Sequence, residues 1–255
     1  MRSSSGGQGR FATKRTRGER QRTLDDARTP SGRGGWRPNA GRKPSPDRKG
    51  PVHRRRVDLD PHHPLHVTLR TEAAVGRLRR RHAYQAVRAA LVTTFARADF
   101  RVVHVSIQHN HVHLLVEATD RHALARGMQG LCISVSRRLN RRLRRKGRVF
   151  AHRYDARAIT CPRQARGALA YVLNNGRRHR EDWRSATARC APVDPYSSAP
   201  QFDGWRELSP AEARAWLPRD YEPLPTARAT TWLLTVGWKR HGTIAIRERP
   251  GPFDA

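Results

Sequence analysis

The chain is 255 residues long and carries 52 Lys and Arg against 21 Asp and Glu, a formal net charge of +31. That length fits one substantial domain with tails, or two small domains. The hydrophobic fraction of 36% falls short of a fully compact chain, so a core is expected in part of the sequence and disorder elsewhere.

Self-repulsion at this charge calls for a polyanion, and nucleic acid is the natural partner, because each phosphate neutralised also releases condensed counterions. Arginine codons accumulating in a GC-rich genome would inflate the count without explaining such an excess. There is no run of about 18 apolar residues, so no membrane span is expected. The N-terminal segment lacks the apolar core of a secretory signal. Cys132, Cys161 and Cys190 lie far apart with no CxxC pair, which argues against a disulfide framework or zinc ribbon and for a reducing cytoplasm.

Residues 1–62 are rich in Arg, Gly, Ser and Pro and read as a disordered basic arm, with Trp36 set among cations. Order begins at His66–Arg70, where alternation and β-branching predict a strand. Residues 73–97 follow with helical spacing, Val75, Leu78, Tyr84, Val87, Leu91 and Phe95 forming the apolar stripe. Residues 100–108 read as a strand with Val103, Val105 and Ile107 on one face. A turn near His109-Asn110 leads to another strand over 111–117, making a hairpin. A long helix is predicted from Asp120 to about Arg145, carried by Leu124, Met128, Leu131, Val135 and Leu139. Val149–Thr160 reads as a strand or extended arm. Pro162–Asn175 reads as a helix, with Pro162 at its first position and Gly176 as its stop.

Strand, helix, strand, strand, helix, strand is the split βαβ order of an α+β, ferredoxin-like antiparallel sheet. Helices are expected on one face, leaving the other open for ligand. This domain spans 63–182. Residues 183–255 read as loop and helical extension, with a helix start at Ser209-Pro210-Ala211-Glu212 and an apolar helix over about 229–239.

His109-Asn110-His111-Val112-His113-Leu114-Leu115-Val116-Glu117 is the most informative segment. Alternation puts His111 and His113 on one face of the strand, with His109 a third candidate, and turns Val112, Leu114 and Val116 into the core. Two neutral imidazoles so placed can bind one metal ion, although paired strand histidines often have no such role. On the last helix Tyr171 and Asn175 are four residues apart and share a face. A phenol, with a pKa of about 10, is a poor nucleophile until a metal or base helps it deprotonate. From spacing alone, Tyr171 as a core-edge residue and Asn175 as a helix cap are the simpler readings.

HNHVHLLVE resembles the HUH signature, two histidines flanking a hydrophobic residue, and more specifically the single-tyrosine HUH transposases of small bacterial insertion sequences, the REP-associated tyrosine transposases among them. Arg148–Tyr154 resembles the family's stretch before its nucleophile helix, and Tyr171-Val172-Leu173-Asn174-Asn175 its nucleophile motif, with a polar metal ligand four residues after the tyrosine. The resemblance covers roughly residues 63–180. It departs at His109-Asn110, where the family commonly has Pro-Asn, and at Gly176, where a proline is common.

The resemblance implies a metal-dependent single-stranded DNA endonuclease and strand transferase. Tyr171 would be the nucleophile, and His111, His113 and Asn175 would hold a divalent ion, Mg or Mn. A 5′-phosphotyrosine intermediate would form on hairpin or repeat DNA. Arg137, Arg138, Arg141, Arg142, Arg144, Arg145 and Arg153 would hold the DNA by its phosphates, with Tyr154 and Trp36 candidates for base stacking. A monomer in the bacterial cytoplasm, associated with the nucleoid, is the expected form. Other readings stay open at this point: a domesticated, non-catalytic nucleic-acid-binding protein, an RNA-packaging protein, or a hydrolase that activates water, for which Glu117 and Asp120 are the nearest carboxylates.

Overall fold

Alternating side chains build a sheet with two different faces. In a computed structural model, which describes residues 59–183 and 190–251, four strands form: β1 (Leu65–Arg70), β2 (Phe100–Ile107), β3 (His111–Ala118) and β4 (Asp155–Ala158). Their order is β2-β3-β1-β4, with every neighbouring pair antiparallel. Helices α1 (Arg81–Val92) and α2 (Arg121–Arg142) make the two crossovers, so the chain has the α+β, ferredoxin-like split βαβ fold. Asp120 starts α2, its Oδ1 accepting from the backbone N–H groups of His122 at 2.6 Å and Ala123 at 2.8 Å. Among the described residues no helix is long and apolar enough to cross a membrane.

One sheet face, with Leu65, Val67, Leu69, Val112, Leu114 and Val116, packs against α1 and α2. The opposite face is not left open. Helix α3 (Pro162–Leu173) lies on it, burying Leu169, Val172 and Leu173 in a second core with Leu115, Phe202, Trp205 and Trp238. Residues within 190–251 thus contribute to the domain's interior. A β-bulge at Val102/His104 explains the second departure on β2. The extra residue re-aims Val103 into the second core, while Val102, Val105 and Ile107 stay in the first.

Other departures have local causes. Ala73–Val75 is only a 3-10 turn, ended by Gly76 at φ +73°, so α1 begins eight residues later than the periodic stripe. Phe95 falls in a second 3-10 turn and is 52% exposed, not core. Helix α2 ends at Arg142, and Arg144 takes a positive φ of 49°. Within Val149–Thr160 only Asp155–Ala158 is strand, with an isolated bridge from Phe150 to Thr71. Helix α3 stops at Leu173, not Asn175. Gly176 lies inside a further helical turn, α4 (Asn175–Arg178), where a Cβ would run into the Asp194 carboxylate. Close approach, not helix termination, is what requires glycine there. The predicted helix over 229–239 is a short one, Trp232–Thr235, followed by a 3-10 turn, Gly237–His241. Ser209 and Glu212 do form a reciprocal capping box at Pro210–Ala215.

Glu117 ties the chain's last stretch to the sheet. Its buried carboxylate accepts from the N–H and hydroxyl of both Thr230 and Thr231, at 2.7–3.0 Å. Glu117→Ala strips these donors of their acceptor and is expected to cost about 1–3 kcal/mol, with proteolysis near residue 230 accelerated. A urea midpoint matching wild type would contradict this anchoring role.

Candidate active site

The face of β3 turned away from α1 and α2 presents His111 and His113, and β1 lies beside it in register, Thr68 opposite His113. His66 and Thr68 therefore reach the same side. The His66 ring stacks on His113 with centroids 5.1 Å apart, and Tyr171 from α3 meets His113 edge-on at 5.1 Å and His66 at 5.5 Å. His111 stands edge-on to His113 at 4.7 Å. The structure thus brings His111, His113 and Tyr171 together within one chain. His109 is not part of the group: it is exposed in the turn between β2 and β3, where its carbonyl accepts from the Leu78 N–H at 2.8 Å.

Burial governs the protonation of these rings. It pulls His113 down to about 2, reinforced by His66 and His111, and it pulls His111 and His66 to about 4. All three are neutral at pH 7, with lone pairs to offer. His113 Nδ1 lies 3.1 Å from His66 Nε2 and 3.2 Å from Thr68 Oγ1, whereas the buried Nε2 has no hydrogen-bond partner among the described residues. A tautomer with the proton on Nδ1 uses those neighbours and leaves Nε2 an unshared pair. Asn110 Oδ1, 2.9 Å from His111 Nδ1, favours the same tautomer of His111.

Asn175 is fully buried, and among the described residues neither its amide oxygen nor its nitrogen has a hydrogen-bond partner. Such orphaned groups are costly and call for an explanation. Among the described residues, no three His, Cys, Asp or Glu are placed to hold a metal ion. Two neutral imidazoles and an amide oxygen suit a divalent cation that keeps part of its shell for water and phosphate. The residues present fit the group.

Four residues at or around the site escaped the sequence reading: His66, Thr68, Arg178 and His179. The Arg178 guanidinium lies 5.3 Å from the Tyr171 ring centroid, and the His179 ring 5.3 Å from that of His111. The turn carrying them is clamped by the end of the chain. Asn174 donates to the Ala245 carbonyl at 3.0 Å, Arg177 to that of Ile246 at 2.7 Å and Arg178 to that of Pro250 at 3.0 Å. Arg166 pairs with the Glu248 carboxylate beside them, one contact at 2.7 Å.

The arginines proposed to meet DNA divide into two groups. Arg137, Arg138 and Arg141 line a cavity of about 490 Å³ together with Arg97 and Arg126, between α2 and the 3-10 turn Thr93–Ala96. That groove is on the helical layer across the sheet from Tyr171. Arg142, Arg144, Arg145 and Arg153 lie outside it; Arg145 donates to the Arg148 carbonyl at 2.9 Å. Tyr154 packs against the first core. Trp36 and the arm up to residue 58 lie outside the described residues.

Two measurements test this geometry. His66, His104, His111 and His113 all titrate below the ordinary histidine value of 6.5, burial being the largest cause for each. Between pH 6.5 and about 4 the unfolded chain binds more protons than the folded one, so stability falls as pH falls through that window and is fully retained above it. Urea midpoints in chelator should decline from pH 7 to pH 4.5; a flat profile would contradict rings buried neutral. Glu248→Ala, which frees the clamp, should slow any reaction of Tyr171 more than it lowers the melting temperature, and unchanged rates would remove the clamp from the site.

Comparison with known proteins fits this arrangement. Residues 62–175 match the family model described as Transposase IS200 like. No curated protein matches the sequence. Among solved structures the chain is similar to a REP-associated tyrosine transposase bound to a REP hairpin, at 13% identity and a TM-score of 0.47, over 70% of this chain and 98% of that one. The matched span runs from just before β1 through Asn175 and holds His111, His113 and Tyr171; over that span the chain is similar to the single-tyrosine HUH transposases.

Proposed function

We propose that the protein cuts and rejoins single-stranded DNA, hairpin or repeat sequences in particular, through a covalent bond to Tyr171. The observation that carries the reading is His113, whose buried Nε2, without a hydrogen-bond partner among the described residues, belongs to a ring in edge contact with Tyr171. His111, His113 and Asn175 are the residues that would hold a divalent ion, Mg or Mn. When bound, such an ion would polarise the scissile phosphate and neutralise charge developing on its oxygens.

The chain's own groups have distinct tasks. Tyr171 Oη attacks phosphorus, the P–O3′ bond breaks, and the 5′-phosphate stays esterified to the tyrosine. The phenolic proton is accounted for on the departing 3′-hydroxyl. A second 3′-hydroxyl reverses the step and joins strands, so the phosphodiester energy is conserved and no nucleotide cofactor is consumed. His66 and Thr68 hold the His113 ring in orientation through Nδ1. Arg178, a cation over the Tyr171 ring, is placed to meet the phosphate that arrives. Arg137, Arg138, Arg141, Arg142, Arg144, Arg145 and Arg153 would contact phosphates and position the strand without reading its sequence. Since Tyr171 meets the histidines of its own chain, a monomer suffices for the chemistry.

Labelled hairpin DNA with single-stranded flanks, incubated with Mn and run on a denaturing gel, tests this. Wild type should give a shifted covalent band that chelator abolishes. Tyr171→Phe should give none, and His113→Ala should reduce it by at least a hundredfold. Cleavage surviving in Tyr171→Phe would mean activated water is the nucleophile; tight binding without an adduct across many hairpins would mean a binding protein.

A further inference from the structure

Behind the turn that carries Asn175, Arg178 and His179 lies a cavity of about 660 Å³, unused by the chemistry above. Asn174, Gly176 and Arg177 form one wall, so the cavity borders the same turn that carries Asn175 and Arg178. The other walls are aromatic. Tyr84 meets Tyr196 edge-on at 5.5 Å and lies 6.2 Å from Tyr221, while Arg79 is stacked over Tyr196 at 4.4 Å. Trp216 stands at the cavity with 62% of its surface exposed.

The polar groups on these walls decide what fits. Arg79 is fixed to Asp194 by two hydrogen bonds of 2.8 Å, Arg81 pairs with Asp220 at 3.0 Å, and Arg177 donates to the carbonyls of Ile246 and Pro192. The cavity's charges are therefore largely paired: Asp194 and Glu181 with Arg79, Asp220 with Arg81 and Glu222 with Arg88. A phosphate gains little where the cations are already engaged. A flat ring with an apolar face and N–H donors on its edge is accommodated: rings stack on the aromatic walls, and carboxylate and carbonyl oxygens accept from exocyclic amines. The volume suits a small-molecule-sized group. In a chain of net charge +31, the source of such a ring is nucleic acid.

We infer that this cavity receives an unpaired nucleobase of the DNA strand whose phosphate lies at Tyr171, with Trp216 as its stacking platform. The inference rests on the single-strand reading of the site. It assigns the cavity a share in choosing where the strand is cut, which phosphate contacts alone cannot do.

The test is equilibrium binding of the full chain, in chelator so that no cleavage intervenes, to labelled short strands of dA or dC and to an abasic strand of equal length. Trp216→Ala should weaken the base-bearing complexes about tenfold, within the range for one lost stacking contact, leave the abasic complex unchanged, and be rescued by Trp216→Phe. Equal losses on base-bearing and abasic strands, or no loss on either, would overturn the proposal. Failure to form an adduct at Tyr171 would not move this readout, so the two readings fail separately.

Discussion

The uncharged state of His113 is the constraint on which the rest of the site depends. An exposed histidine, with an ordinary value of about 6.5, is partly protonated near neutral pH and so only partly available as a lone-pair donor. Here the ring is packed between His66 and Tyr171 beneath α3, and burial holds it down to about 2. Neutrality leaves the ring a lone pair, and the same packing fixes the tyrosine against it. The cover that keeps the histidines neutral is the helix that carries Tyr171, so the position of the tyrosine and the protonation of the rings share one cause.

That cover exists because the sheet has two packed faces. A ferredoxin-like sheet with helices on one side leaves its other side to be closed by something else. In this chain α3 and the residues after 190 close it, fastened at Glu117, at the β2 bulge and along the α4 turn. The C-terminal stretch therefore contributes to function without contributing a reactive group. Asn174, Arg177 and Arg178 each donate to its backbone, which locks the turn on which Asn175 is displayed. Charge is sorted in the same way. The Arg97, Arg126, Arg137, Arg138 and Arg141 groove faces outward from α2, across the sheet from Tyr171, while neutral rings line the site.

Much of this was legible in the sequence. The alternation of 111–117 gives β3 and the shared face of His111 and His113, and the stripe of α2 was read with its cap at Asp120. The family resemblance then singled out Tyr171 and Asn175. What escaped required knowledge of which strands are neighbours. His66 and Thr68 alternate visibly with Leu65, Val67 and Leu69, but only the β1–β3 register sets them beside His113. Gly176 read as a stop because glycine usually ends helices; its actual constraint is Asp194, eighteen residues on, drawn close by Arg79. Phe95 extended a helical stripe past a point where the chain tightens into a 3-10 turn, and no local signal marks that change. The face expected to be open is closed by residues whose weak periodicity gave only an appendage.

Localising the covalent bond tests the account most directly. DNA-linked protein, digested with nuclease and protease, would be analysed by mass spectrometry. The account predicts a nucleotide joined through its 5′-phosphate to the peptide that contains Tyr171, and to no other. A nucleotide on another residue, or a 3′-phosphate linkage, would contradict it.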